Sequence, residues 1–235
     1  MTLPLYLAMT AAEFMGKSPQ DPHMAWMACH FSSYGSGLSN IPGDLPAGAM
    51  VILNDQFPID AHDPMRICKE LTELTERFQI SGVLLDFQRQ DVPKTKELCA
   101  VLTTALPCPV SVTEYYAEEL SCPVFVSVPL RIKLCDCISK WKGREIWLEA
   151  VLDSQHITVS HENVQISSCG MEELPTPWFS EPELFCRYHW EVQDETAVFT
   201  VQRTQAELKE LLSYADKLGV TRAVGLYQQL HGFIQ

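Results

Sequence analysis

The 235-residue sequence predicts a single α/β domain of (β/α)8, TIM-barrel-like architecture, with a hairpin-containing insertion around residues 152–194. Three observations carry this. Short runs rich in Val, Ile and Leu recur along the chain, as a parallel sheet covered on both faces requires. Amphipathic segments with helix-start signals alternate with several of them. The length suits one large core, and barrels of about this size commonly form one domain.

Nine runs read as strands, at 3–9, 24–31, 49–54, 82–88, 109–114, 123–128, 145–152, 196–202 and 222–228. A closed barrel needs eight, so one is surplus. The first two compete for first place, which decides whether 82–88 is the third or the fourth strand.

Three helices are well signalled. Asp63 can cap free amides and Pro64 suits the first helical position. Ile67, Leu71, Leu74 and Phe78 then follow the three-and-four spacing of one buried stripe. The second helix spans 93–106, with Leu98, Val101, Leu102 and Ala105 on one side. Thr204 and Glu207 form a capping-box pattern that opens the third. Leu208, Leu211, Leu212 and Ala215 continue its buried face, and Gly219 fits its C-terminal stop. Strand–helix–strand units are therefore expected at 49–88, 81–114 and 196–228. Between 152 and 194 the pattern changes to short strands around His161-Glu162-Asn163, then to a stretch with three prolines at 172–183. With few apolar residues for a core of its own, it reads as an insertion.

Composition narrows the function. Acidic residues outnumber basic ones by 30 to 17, for a net charge of -13. That balance repels phosphate backbones and argues against nucleic acid, while a small-molecule or oligosaccharide ligand, above all a neutral sugar, fits it. No apolar run is long enough to cross a bilayer, and the N-terminus lacks the basic start of a secretory signal, so a cytoplasmic protein is expected. Nine cysteines, an odd number, then read as reduced, structural thiols. Cys135-Asp136-Cys137 lacks zinc spacing and the seven histidines are dispersed. No dinucleotide, phosphate-loop or nucleophile-elbow motif is present, so neither a metal nor a cofactor is expected. Residues 227–231 hold no Gly-rich anion nest, which disfavours a phosphometabolite barrel.

Ligands of such barrels bind at the carboxyl ends of the strands. Side chains alternate along a strand, so Gly82, Leu84, Asp86 and Gln88 share one face and Val83, Leu85 and Phe87 the other. The second set is wholly apolar and should meet the helices, leaving Asp86 and Gln88 aimed into the barrel end. The run Gly82-Val83-Leu84-Leu85-Asp86-Phe87-Gln88 resembles the strand motif Asp-Gly-x-Asp-x-Asp-x-Glu of chitinase-like, family-18 glycoside hydrolases. The match falls on Gly82, Asp86 and the aromatic Phe87; it fails at Ser81, Leu84 and Gln88. The resemblance implies an α/β barrel whose motif lies on the fourth strand. It also implies that the last motif residue is the general acid and that the Asp before it orients the substrate's acetamido nucleophile.

Gln88 stands where that family has its acid, and an amide has no proton to give. If the chain is a hydrolase, the acid comes from another strand. Glu114, on the face of Val110 and Val112, and Glu149, on the face of Trp147, are the alternatives, with Asp55 behind them. A buried ion pair with Arg144 or Arg203 is the rival role for Glu149. Catalytic candidates are thus Glu114, Glu149 and Asp86. Substrate-binding candidates are Gln88, Asn54, Asp55, Tyr115, Trp147, Tyr227 and Gln228, a mix of aromatic faces and polar groups suited to sugars. Two functions follow: a glycoside hydrolase-like or carbohydrate-binding barrel with a degenerate catalytic strand, or a non-enzymatic binding or scaffold protein. Asp86, Gln88, Glu114 and Glu149 are expected to converge on one cavity.

Overall fold

The computed structural model describes residues 3–15, 23–57, 62–90, 92–193 and 196–232. The chain opens with β1 (Leu5–Met9), α1 (Ala11–Met15), β2 (Met24–Phe31) and the two-residue β3 (Leu38–Ser39). It continues through β4 (Met50–Asn54), α2 (Pro64–Phe78), β5 (Gly82–Asp86), α3 (Pro93–Ala105), β6 (Val110–Thr113) and α4 (Glu114–Ala117). Next come β7 (Val124–Val126), α5 (Leu134–Ser139) and β8 (Ile146–Glu149). An excursion holds β9 (Asp153–Val159), β10 (Val164–Ser168), β11 (Phe179–Glu181), β12 (Cys186–Gln193) and β13 (Thr196–Arg203). The chain returns through α6 (Gln205–Lys217), β14 (Arg222–Leu226) and α7 (Tyr227–Leu230).

The main sheet runs β1-β14-β8-β7-β6-β5-β4-β2-β3, and β1 also pairs with β2, closing the ring. Only β3 is antiparallel, hanging on the end of β2 through His30↔Ser39 and Phe31↔Leu38. Removing it leaves a closed barrel of eight parallel strands, the (β/α)8 fold. Both leading runs are barrel strands, so β5 is the fourth in chain order, where the resemblance placed its motif.

The surplus run is 196–202. It lies in a separate five-stranded antiparallel sheet, β10-β9-β13-β12-β11. The expected unit at 196–228 is therefore corrected: β8 and β14 are the parallel neighbours, and the crossover between them carries the whole second sheet before α6. The insertion thus reaches Arg203 rather than ending at 194. Its first hairpin turns at the predicted place, where Ser160 N donates to Asn163 O at 2.9 Å.

Helix starts follow the sequence chemistry. The Asp63 carboxylate accepts from Met65 N at 3.0 Å with Pro64 as the first residue of α2. The Glu207 side chain accepts from Thr204 N at 2.9 Å to open α6, and Gly219 follows with φ +85.

Parity sorts the strand residues into two layers. Val83, Leu85 and Phe87 join Ile67, Leu71, Leu98, Leu102, Leu208 and Leu211 between sheet and helices. Each fully buried side chain of this kind contributes roughly 1.5–3 kcal/mol. Leu84 faces inward with Tyr6, Ala8, Ala25, Met50, Ile52, Phe125, Trp147 and Val224. Near the amino ends of the strands, the Arg222 guanidinium lies 4.5 Å from the Trp147 ring centroid and donates to Ser81 O at 2.9 Å. Gly82 is a glycine because a Cβ there would sit 2.7 Å from Trp147 and 2.9 Å from Arg222. The barrel is plugged below and open above.

In the second sheet, directly paired residues share a face, and one face is largely apolar: Phe179, Tyr188 and Val201, followed by Gln155 and Ser168; Trp190, Phe199, Ile157, Ile166; Val192, Ala197, Val159, Val164. The barrel covers its inner end, where Leu130 packs with Cys186 and Val201. Arg203 fixes the joint: it is 1% exposed and donates to Val128 O at 2.8 Å and to Phe185 O and Leu184 O at 3.3 Å.

Candidate functional site at the barrel mouth

The carboxyl ends of β5 to β8 converge on a cavity of about 240 Å³ bordered by Asp86, Gln88, Thr113, Glu114, Tyr115, Ser127 and Glu149. A smaller hollow of about 110 Å³ lies deeper, lined by Met27, Ile52, Asn54, Leu84, Val224 and Gln229. Asp86, Phe125 and Glu149 border both. The result is a polar mouth above an apolar floor, the usual mix of a small-molecule site.

Strand β5 stops at Asp86 instead of continuing to Gln88, yet the two side chains still meet: Gln88 Nε2 donates to Asp86 Oδ1 at 2.5 Å. The backbone just past the strand is held by Asp55, which is 8% exposed. Its carboxylate accepts from Gln88 N at 3.1 and 3.2 Å and from Arg89 N at 2.8 Å. Register sets Asn54 beside Asp86 on the neighbouring strand. Asn54 is itself engaged, donating to Met27 O at 3.3 Å and accepting from Gln56 N at 3.1 Å.

Burial raises the Asp86 carboxyl above the ordinary aspartate range; the Gln88 hydrogen bond opposes the rise and the nearby Asp55 charge adds to it. Glu149 is raised first by burial, while a hydrogen bond from Ser127 lowers it and the charges of Asp86 and Asp153 push it up. Two carboxyls thus border one poorly solvated space, and the Asp86 charge makes Glu149 harder to ionise. Glu149 makes no direct ion pair with Arg144 or Arg203, although the nearby Arg203 charge opposes the rise of its carboxyl. Arg144 donates to Ala117 O at 2.7 Å and to Cys122 O at 3.1 Å, and Arg203 is spent on three carbonyls.

Glu114 borders the mouth but opens α4 rather than ending β6. Its Oε1 accepts from Lys140 Nζ and Trp141 Nε1, both at 3.0 Å, so this carboxylate ties α4 to the end of α5.

Three expected rim residues lie elsewhere. Trp147 is fully buried, with its indole donating to Glu145 Oε1 at 2.8 Å, and belongs to the barrel plug. Tyr227 packs against the outer core and stacks on His231 at 5.2 Å. Gln228 is exposed. The chain turns helical at Tyr227, so strand parity no longer holds and Gln229 faces the hollow, its Oε1 accepting from Leu152 N at 3.2 Å. Sequence reasoning also missed Thr113 and Ser127. Ser127 was legible, since it follows Phe125 by two residues and so continues its face.

All nine cysteines are free thiols, and burial pushes Cys29 and Cys99 up to about 12. Among the described residues no group of three or more His, Cys, Asp or Glu is placed to hold a metal ion. Among them, too, no helix is long and apolar enough to cross a membrane.

Several solved structures share this fold. A family GH18 chitinase from Cycas revoluta, in complex with allosamidin, is 10% identical over 98% of this chain and 97% of that one, with a TM-score of 0.62. A variant of a Cycas revoluta GH18 chitinase with two substitutions, one of them Glu to Gln, is in complex with (GlcNAc)4; it is 11% identical over 98% and 97% of the chains, TM-score 0.59. The Bacillus cereus spore cortex-lytic enzyme SleL matches 99% of this chain and 74% of its own at 7% identity, TM-score 0.57. No family model matches the chain, and no curated protein does. At such identities the likeness is one of fold alone, the (β/α)8 barrel that these enzymes and this chain share.

Proposed function

We propose that the mouth binds an oligosaccharide of N-acetylated sugar units, and that the chain is a glycoside-hydrolase-like barrel whose own catalytic strand has become a binding strand. The observation that carries this is the Gln88–Asp86 hydrogen bond of 2.5 Å at the end of the fourth barrel strand. An amide there can still donate to and accept from sugar hydroxyls, but cannot protonate a leaving group. The chitinase variant holding (GlcNAc)4 supports the reading, because such a barrel tolerates a Glu-to-Gln change and keeps a sugar ligand. Asp86, poised by Gln88, offers an acceptor to an acetamido N–H. The apolar residues beneath it suit the sugar's non-polar atoms.

One observation favours a second reading, in which hydrolysis persists. Glu149 borders the same cavity with its carboxyl raised by burial, as a general acid requires. Calorimetry with (GlcNAc)4, beside a hydrolysis assay, separates the two. The binding reading expects wild type to bind without cleaving, Asp86→Ala to lose at least about tenfold in affinity, and Gln88→Glu to gain cleavage. Cleavage by wild type that Glu149→Gln abolishes would establish the second reading. Absence of binding by both wild type and Gln88→Glu would count against sugars altogether.

A further inference from the structure

Outside the barrel, between α3 and α4, the surface holds another cavity of about 290 Å³, walled by Lys96, Ala100, Tyr115, Tyr116, Glu118 and Glu119. Tyr115 borders both this cavity and the mouth, which makes the two neighbours. Ligand pockets run from about 300 to 1,000 Å³; this one sits just under that range, the scale of a small ring compound.

Its walls are preformed. Tyr115 and Tyr116 meet edge to face at 5.0 Å, and the Tyr116 hydroxyl donates to Arg89 O, the residue after Gln88. The same segment that Asp55 pins at the mouth therefore also anchors the outer wall. The Lys96 ammonium lies 5.7 Å from the Tyr115 centroid. Cys99 lines the inner side as a buried, neutral thiol.

The chemistry selects among ligands. A polyanion would meet Glu118 and Glu119, and a purely apolar ligand would desolvate charged groups without replacing their hydrogen bonds. A hydroxyl-rich ring satisfies both, offering donors to the carboxylates, an acceptor to Lys96 and an apolar face to the tyrosine wall.

We propose that this outer cavity is a further subsite for the same glycan: an oligosaccharide anchored at Asp86 and Gln88 crosses Tyr115 and seats another sugar unit between α3 and α4. The inference rests on the function proposed above and specifies its substrate as an extended chain. Calorimetry with N-acetylglucosamine oligomers of increasing length tests it. Wild type is expected to bind the hexasaccharide at least about tenfold tighter than the disaccharide. Ala100 is exposed on α3, so Ala100→Trp fills the cavity and is expected to bring the hexasaccharide down to the disaccharide's affinity while leaving the disaccharide unchanged. Lys96→Ala, a truncation of an exposed side chain, is expected to weaken the hexasaccharide alone. If the disaccharide binds and neither variant alters the hexasaccharide, the outer subsite is overturned and the mouth reading stands. If wild type binds no oligomer of any length, both fall.

Discussion

Glu149 and Trp147 lie on one face of one strand, yet only one of them reaches the mouth. Two residues along a strand are about 6.6 Å of rise, so the residue that precedes a rim carboxylate by two sits in the plug below. Parity was legible in the sequence and depth was not. That is why the sequence puts Asp86, Gln88 and Glu149 at the rim, where they do border the cavity, and also puts there Trp147, which is fully buried. The paired carboxyls also carry a pH signature. Asp86 and Glu149 are both raised by burial, so their ionised forms cost folding energy above the folded-state values. Below the unfolded-state values both states are protonated and the cost is gone. Stability from these groups is therefore present at acid pH and lost as pH rises through the raised range. Glu149→Gln keeps a hydrogen-bonding partner for Ser127 and removes the ionisation. Thermal melts of wild type and variant should show the variant more stable near neutral pH, by an amount that shrinks toward zero as pH falls through the carboxylate range. A constant offset at every pH would assign the effect to packing instead.

At the scale of elements, the errors fall where a strand hands over to a helix. The sequence runs 109–114 and 222–228 continue as polar or apolar alternation, but the backbone turns helical at Glu114 and Tyr227. A short helical turn has too few residues for its period to show in the sequence, whereas α2 was legible from its cap and full stripe, and α6 from those and its Gly219 stop. The handover gives Glu114 its structural task. It holds Lys140, a half-exposed pair worth about 0–1 kcal/mol, and satisfies the indole N–H of Trp141, which is buried. Glu114→Ala should cost about 1–3 kcal/mol in urea unfolding, mostly from the orphaned indole, and leave (GlcNAc)4 affinity within about twofold. Glu114→Gln, which can still accept from the indole, should recover most of the loss. A large drop in affinity for Glu114→Gln would return this residue to the binding site.

Over the whole molecule, the sequence offered nine strands for eight places, and local pattern could not choose between them. An apolar run reads alike whether its neighbours are parallel or antiparallel. What decides for β13 is pairing with β9 and β12 at long and short range, information no single segment contains. The same pairing builds a sheet with one largely apolar face, so the insertion has more cohesion than its composition suggests. It is nonetheless not closed on itself: its inner cluster includes Leu130, from the loop after β7, and Arg203 bridges its own loop carbonyls to Val128 O. Burial also depresses the Arg203 guanidinium, the mark of a charge kept in a dry joint by its acceptors. These shared contacts favour barrel and insertion unfolding as one cooperative unit. Arg203→Met keeps the apolar stem and leaves carbonyls of Val128, Leu184 and Phe185 without their donor, at a cost of about 1–3 kcal/mol for each that stays buried. The expected result is a lowered urea midpoint with a single transition, coincident by tryptophan fluorescence and far-ultraviolet circular dichroism. Two separated transitions in the variant, with exchange protection lost first in β9 to β13, would mean that the second sheet folds independently and that Arg203 is only its hinge.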